Sequence, residues 1–528
     1  KVITARPEYT KSGIERQKKL LKMTKIFGAA TAAAFVVTIL LYQFVYKPIV
    51  AKNKIEQGVA LIRRPGVPTF QKKRDFENAE KLFREVDEDY VSDYLPGYNA
   101  YARAYYDVKE FDLSHDKLVK AFNIRQTDIE TINNIGYFYS RLPKEYYDRH
   151  WETLKPPDRK QLGETPESRL DVAIRFYRYT LTRQPDNVTA LYGIGNTYMY
   201  QGRYFEARRY YENIIKVDKS SVVGHSGLLN LVIERDEFAE VVTQHTRMVD
   251  RDILPDIESA LLAKLAFYYL GKKRSDSVNV RFDYGVKSDR LRDLADNPYP
   301  VVRSVLKVLG DKDADYPPLY VHQAKLAQAE GNYHQMREYV KVALSKQDNY
   351  YGAQHLMGEY HYLVNEPVDA YRAFQSAIKA YQNPPSFTNS DFYQETESIG
   401  RTHAMLGNIF YYFFDKVRAK NRQADDIDEV ALDDEMEKRA NNSIAEEYYE
   451  KALQLGDKSP ELYYNLGRLY YLRGLYEKAL EKWLNLYDDF IAKPELMFAL
   501  GNAFFRMNNY ESSKGEYLRL ISIYEEEA

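Results

Sequence analysis

Near its C-terminal end the chain repeats itself at an offset of 34 residues. PELYYNLGRLYYLRGLYEKALEKWLNLY, from Pro460 to Tyr487, is echoed by PELMFALGNAFFRMNNYESSKGEYLRLI, from Pro494 to Ile521, with matches at Pro460/Pro494, Gly467/Gly501, Tyr476/Tyr510 and Trp483/Tyr517. A fixed period of this length constrains the fold more than any other property of the sequence. A unit this short is one supersecondary element that cannot bury its own apolar face, so units must stack. If the unit is a helical hairpin, Gly467 is small enough to let the first helix approach its partner, and Ala479 does the same from the second.

With the small residue of the first helix as marker, the series runs Ala102, Gly136, Gly195, Leu229, Ala263, Ala324, Gly358, Gly407, Gly467, Gly501. Five steps are 34 residues, and the other four exceed 34 by insertions of 25, 27, 15 and 26 residues. Second-helix markers agree: Ala173/Ala207 and Tyr177/Tyr211 are each 34 apart, and Ala370, Ala445 and Ala479 hold the same place elsewhere. Leu229 and Val241 depart from the small-residue pattern. This pattern resembles the tetratricopeptide-repeat (TPR) family, and the resemblance extends from about Phe76 to the end, where Phe76–Val86 reads as the second helix of a degenerate first unit. It implies an all-α superhelical solenoid of about ten repeats with insertions, divided into arrays at 76–271 and 319–528. Between them, 272–318 reads as an irregular insertion, because NPYPVV and YPPLY flank at most a distorted helix. Pro143–Glu167, with four prolines, reads as a loop. Asp425–Glu437 holds eight carboxylates and no base, and reads as a solvated helical extension.

Ile26 to Tyr46 reads IFGAATAAAFVVTILLYQFVY, 21 residues without a charge. At about 1.5 Å per residue this is roughly 30 Å of helix, enough to cross a bilayer. Tyr42 and Tyr46 suit the interface, and Pro48 marks where the helix is expected to stop. The run is longer than the apolar core of a signal peptide, and Lys47-Pro48 is a poor cleavage site. Residues 1–25 form a basic tail with Arg16, Lys18, Lys19, Lys22 and Lys25, and 47–75 a linker. The charge bias predicts a cytoplasmic tail and everything beyond Lys47 across the membrane.

Formal charge is −2, from 75 basic and 77 acidic residues, which leaves no global field for a nucleic acid. Cysteine is absent, which excludes disulfides and thiolate chemistry. The nine His are dispersed; His355 and His361, six apart, do not share a helical face. No HExxH, GxxxxGK[ST] or GxSxG string occurs, and no catalytic, cofactor, metal or small-molecule site is assigned. Tyrosine, at 49 residues against 2 Trp, is in excess and needs a packing or a recognition role.

The resemblance implies a groove lined by positions 2, 5, 9 and 12 of each first helix. In the N-terminal array these include Tyr106, Asn133, Tyr137, Tyr192 and Asn196. In the C-terminal array they include Tyr362, Asn408, Tyr411, Tyr464, Arg468, Tyr471, Phe498, Asn502 and Phe505. Tyr offers large contact area at low entropic cost, which suits protein recognition. The carboxylate clamp of chaperone-binding TPR proteins is absent, since Tyr192 replaces its Lys and Gly227 its next Asn. The last helix leaves Leu518, Ile521 and Tyr524 at i, i+3, i+6 spacing with no following helix to cover them, a ridge expected to meet another copy or component. A basic tail, one span and a long Tyr-rich solenoid resemble the TPR proteins of bacterial envelope machines, such as the periplasmic collar of spirochaete flagellar motors. The expectation is therefore a non-enzymatic scaffold in the cytoplasmic membrane, with protein partners across it. A quality-control or outer-membrane assembly factor and a mitochondrial outer-membrane receptor are the alternatives.

Overall fold

The computed structural model describes residues 11–64, 69–150, 168–272, 294, 296–421, 434–487 and 493–527. Among the described residues every regular element is a helix. The chain divides into two compact units, Lys1–Leu231 and Val232–Ala528.

The first unit opens with α1, Lys11–Leu41, which passes through a π-turn at Tyr42–Tyr46 into α2, Lys47–Ile62. Pro48 therefore does not stop the helix. A proline ring collides with the carbonyl four residues back and offers no N–H. The π-turn opens the ladder just ahead of it, with the Lys47 N–H donating to the carbonyl of Tyr42. Large apolar side chains from Ile26 to Tyr46 are exposed, and this helix is long and apolar enough to cross a membrane. Beyond it, Ala51, Ile55, Gly58 and Ile62 make one buried stripe at helical spacing. They face α3, Thr69–Glu85, which contributes Ala79 and Phe83. Residues 47–62, expected as linker, are thus the first helix of a hairpin whose second helix is the degenerate unit. A Cβ added at Gly58 would lie 1.7 Å from the Tyr101 hydroxyl oxygen, so this helix sits close against the next hairpin.

Three more hairpins follow: α4 (Leu95–Asp107) with α5 (Phe111–Ile124), α6 (Ile129–Arg141) with α8 (Arg169–Arg183), and α9 (Val188–Tyr200) with α10 (Tyr204–Val217). The short α7, Lys144–His150, lies in the Pro-rich insertion, of which 151–167 fall outside the described residues. Asp128, Ser168 and Asn187 cap α6, α8 and α9 by accepting from the backbone N–H three residues on, which satisfies donors that a helix start otherwise leaves open. α11 is Val222–Glu234.

The second unit holds α12 (Phe238–Asp250) and then the pairs α13 (Ser259–Leu270) with α14 (Tyr299–Lys312), α15 (Pro317–Ala329) with α16 (Tyr333–Lys346), and α17 (Tyr351–Leu363) with α18 (Pro367–Gln382). α19 (Ile399–Asn421) with α20 (Asp434–Gln454), α21 (Pro460–Leu472) with α22 (Tyr476–Leu484), and α23 (Pro494–Arg506) with α24 (Tyr510–Glu527) complete it. The stretch expected to be irregular therefore contains a regular helix, α14, which buries Val302, Val305, Leu306 and Leu309 and partners α13. Most of the acidic run 425–437 lies outside the described residues. All ten marker residues fall on first helices; Leu229 on α11 and the second-helix residue Val241 on α12, which depart from the small-residue pattern, are fully buried.

The turn inside the hairpin is as regular as the helices. Two residues past α9, α15 and α21 the chain takes a left-handed conformation at Gly202 (φ +71), Gly331 (φ +74) and Gly474 (φ +76). Asn365, Asn508, Asp236 and Lys109 adopt the same conformation at the equivalent place. A left-handed residue reverses the chain within a few bonds, which is why Gly and Asn predominate there.

Candidate protein-binding surface

The tyrosine excess has its first explanation inside the hairpins. A Cβ added at Gly195 would lie 2.5 Å from the Tyr211 ring, so the second-helix ring rests directly on the first-helix backbone. The Tyr211 hydroxyl then donates to the side-chain oxygen of the next residue, Asn196, at 2.6 Å. The same triplet recurs at Gly407, Asn408 and Tyr449, and at Gly501, Asn502 and Tyr517, both with 2.7 Å bonds. Where the residue after the glycine changes, the ring changes with it. Arg468 follows Gly467, and the ring is Trp483, whose Nε1 donates to the Tyr464 carbonyl at 3.0 Å. Glu359 follows Gly358, and the ring is Phe374, which has no hydroxyl to satisfy. Burial pushes the phenols of Tyr101, Tyr105, Tyr139, Tyr177 and Tyr449 up, as expected of packing residues.

This pairing reassigns part of the expected groove. Asn196, Asn408 and Asn502 hold their own hairpins together. Asn133 does the same, accepting from Thr180 at 2.9 Å and donating to Asn187 at 3.3 Å. Tyr106 packs edge-on against Phe111, Tyr137 and Phe138, and Tyr137 lies between the guanidinium groups of Arg103 and Arg141. Tyr192 leans on Tyr211, Tyr362 on Phe413, and Tyr411 on Tyr412 and Tyr449. Tyr464 and Tyr471 both meet Trp483. These rings are half-buried, with one face committed to the array.

The open residues concentrate at the end of the second unit. Arg468, Phe498 and Phe505 are exposed, the two Phe by 55% and 54%. Leu518, Ile521 and Tyr524 stand at least half in solvent on α24. Sequence reasoning passed over Leu472, at 65%, and Phe205, at 73%. Both lie next to a buried or half-buried aromatic neighbour in sequence, so only the helical phase distinguishes them.

Four of the histidines sit in contrasting surroundings. His355 is fully buried, facing Thr402 through Nδ1 at 2.8 Å and Glu359 through Nε2 at 3.2 Å. His361, at the end of α17, meets Glu366 at 2.7 Å, and these two with Asp369 form an exposed group of ligand-type atoms at the hairpin turn. Burial lowers His245 to about 4, and burial with the nearby Lys325 lowers His322 to about 4, so both are neutral at pH 7.

Sequence-family models for the tetratricopeptide repeat match residues 188–221, which hold α9 and α10, and residues 437–495, which span α20 to α22. No curated protein matches the chain. Among solved structures, one described as a functional characterisation of Pseudomonas aeruginosa pilF is 17% identical, covering 44% of this chain and 88% of that one, with TM-score 0.32. The Cut9-Hcn1 hetero-tetramer of APC/C is 13% identical over 94% of this chain and 85% of that one, TM-score 0.39. A human IFIT1 dimer with PPP-AAAA is 12% identical over 89% and 94%, TM-score 0.40. Stacked hairpins joined by small-residue and aromatic contacts define a helical-repeat scaffold. The chain carries tetratricopeptide repeats.

Proposed function

We propose that this chain is a non-catalytic, membrane-anchored scaffold that holds protein partners in an assembly on the far side of the membrane from its N-terminal tail. The observation that carries the reading is the union of one apolar helix with a repeat array whose last hairpins leave Arg468, Phe498, Phe505, Leu518, Ile521 and Tyr524 open. Aromatic, aliphatic and Arg side chains left in water on a rigid frame suit protein partners, another copy of the chain included. The basic residues ahead of Ile26 favour a tail in the cytoplasm and repeats in the periplasm of a Gram-negative cell. The same plan serves an envelope machine of the kind exemplified by the spirochaete flagellar motor collar.

The test has two arms. A reporter that works only outside the cytoplasm, fused after Ala528, is expected to be active; activity only of a cytoplasmic reporter reverses the topology and favours a receptor facing the cytosol. The double variant Leu518→Glu with Ile521→Glu is expected to stay folded yet sediment as a smaller species and lose its cellular location. Normal assembly of that variant rejects the ridge as a docking element.

A further inference from the structure

Between α18 and α19 the 15-residue insertion does not loop out into solvent. Residues 383–398 run back over the first helices of three earlier hairpins, α13, α15 and α17. The short turn Ser386–Asn389 inserts Phe387, whose ring meets Tyr350 at 5.0 Å, Tyr393 at 5.7 Å and Tyr316 at 5.8 Å. Phe387 and Tyr393 thereby join the core of α15, α16 and α17. Phe392 and Thr396 are buried. Ser390 bonds Glu258 at the start of α13, 132 residues away in sequence. Glu397 then accepts from the Lys325 ammonium at 2.6 Å, and the Ser398 carbonyl from the Tyr351 hydroxyl at 2.7 Å.

The register of these partners matters. Lys325 follows the marker Ala324 and Glu359 follows Gly358, the place that Asn196, Asn408 and Asn502 hold in hairpins with a Gly-Asn-Tyr triplet. Here the place carries charge, and it is met from outside the hairpin. Lys325 reaches Glu359 at 3.4 Å as well as Glu397, and Gln328 donates to Glu359 at 3.0 Å. Burial alone would lower the Lys325 ammonium, but Glu359 and Glu397 outweigh it and hold it above its usual value. A largely buried ammonium is costly to separate from its carboxylates, so the segment is tied to this face by more than chain connectivity.

We propose that the first-helix face of α13, α15 and α17 is a binding site for an extended segment bearing aromatic anchors followed by a carboxylate, and that this chain fills the site with its own residues 383–398. While the segment is docked, these three hairpins are closed to partners, and partner recognition falls to the hairpins that carry no such cover.

The experiment uses the full chain in detergent micelles. Replacing 386–397 by a Gly/Ser stretch of equal length is expected to let a fluorescein-labelled peptide of residues 384–398 bind in trans, read by anisotropy, whereas the unmodified chain does not take it up. Glu397→Gln in the peptide is expected to weaken binding by roughly tenfold, since it removes the charge from a part-buried bond to Lys325. A replaced chain of unchanged helicity that ignores the peptide overturns the proposal. Should the replacement fail to fold, Phe392→Ala with Glu397→Gln in the intact chain decides by amide exchange. Faster exchange in 386–397 together with α15 and α17 supports a ligand that orders its site. Faster exchange in the segment alone overturns it.

Discussion

The Tyr211 hydroxyl and the Asn196 side chain show how one atom can hold a hairpin. Tyr211→Phe keeps the ring on Gly195 but leaves a buried amide oxygen without its donor, so it is expected to lower stability by about 1–2 kcal/mol. Thermal melts of Tyr211→Phe, an Asn196 variant and the double variant check this, because coupled partners give a non-additive cycle. Glu395 gives a second residue-scale expectation. Burial pushes its carboxyl up to about 7, with a hydrogen bond from Tyr393 opposing. The folded chain therefore binds a proton there that the unfolded chain, with an ordinary value of 4.5, has lost. Stability from this group falls as pH rises from about 4.5 through 7, on the order of 3 kcal/mol in all. Glu359 has the opposite sign. Although burial alone would raise it, Lys325 and His355 hold it well below its usual range, so its contribution is present above about 4.5 and lost in acid. Glu395→Gln is expected to flatten the decline between pH 5 and 8 and to leave the acid limb in place, as read from melting temperatures across that range. An unchanged decline would assign it to other groups.

At the scale of the helix pair, glycine and alanine decide how closely two helices meet. A Cβ at Gly467 would lie 2.3 Å from Trp483 Nε1, so Gly467→Leu must displace the indole and break its bond to Tyr464. The expected loss is about 1–3 kcal/mol, seen as a lower melting temperature with helicity retained at low temperature. No change would shift the repeat register. That register was legible in sequence because a small residue and an aromatic ring recur at fixed places. The Asn196, Asn408 and Asn502 bonds were not, because the position after the small residue can serve either a groove or the hairpin itself. α14 was hidden by its prolines, which read as breakers. Pro300 lies in the first turn of α14, and Pro317 and Pro318 open α15, where a missing N–H costs little. The first hairpin was hidden for another reason, since α2 has no marker in phase with the 34-residue series and carries Lys52 and Glu56 on its outer side and Lys54 toward Glu85 of α3.

At the scale of the molecule, the sequence identified the repeats and the long apolar helix but not how they join. The chain runs as helix from Lys11 to Ile62, bulged at Tyr42–Tyr46, so the apolar helix and the first helix of the first hairpin follow one another without an intervening hinge. Such a joint transmits angle. Each residue inserted into a helix rotates the C-terminal remainder by about 100° and lifts it by about 1.5 Å. Two residues added after Ile49 would turn the first hairpin by roughly 200°, whereas seven would return it to within about 20° of its starting azimuth and raise it by roughly 10 Å. If partners approach from one compass bearing around the anchor, the two-residue insertion is expected to abolish co-sedimentation with them while the seven-residue insertion preserves it. Equal behaviour of both would mean that the anchor sets height above the bilayer and not bearing.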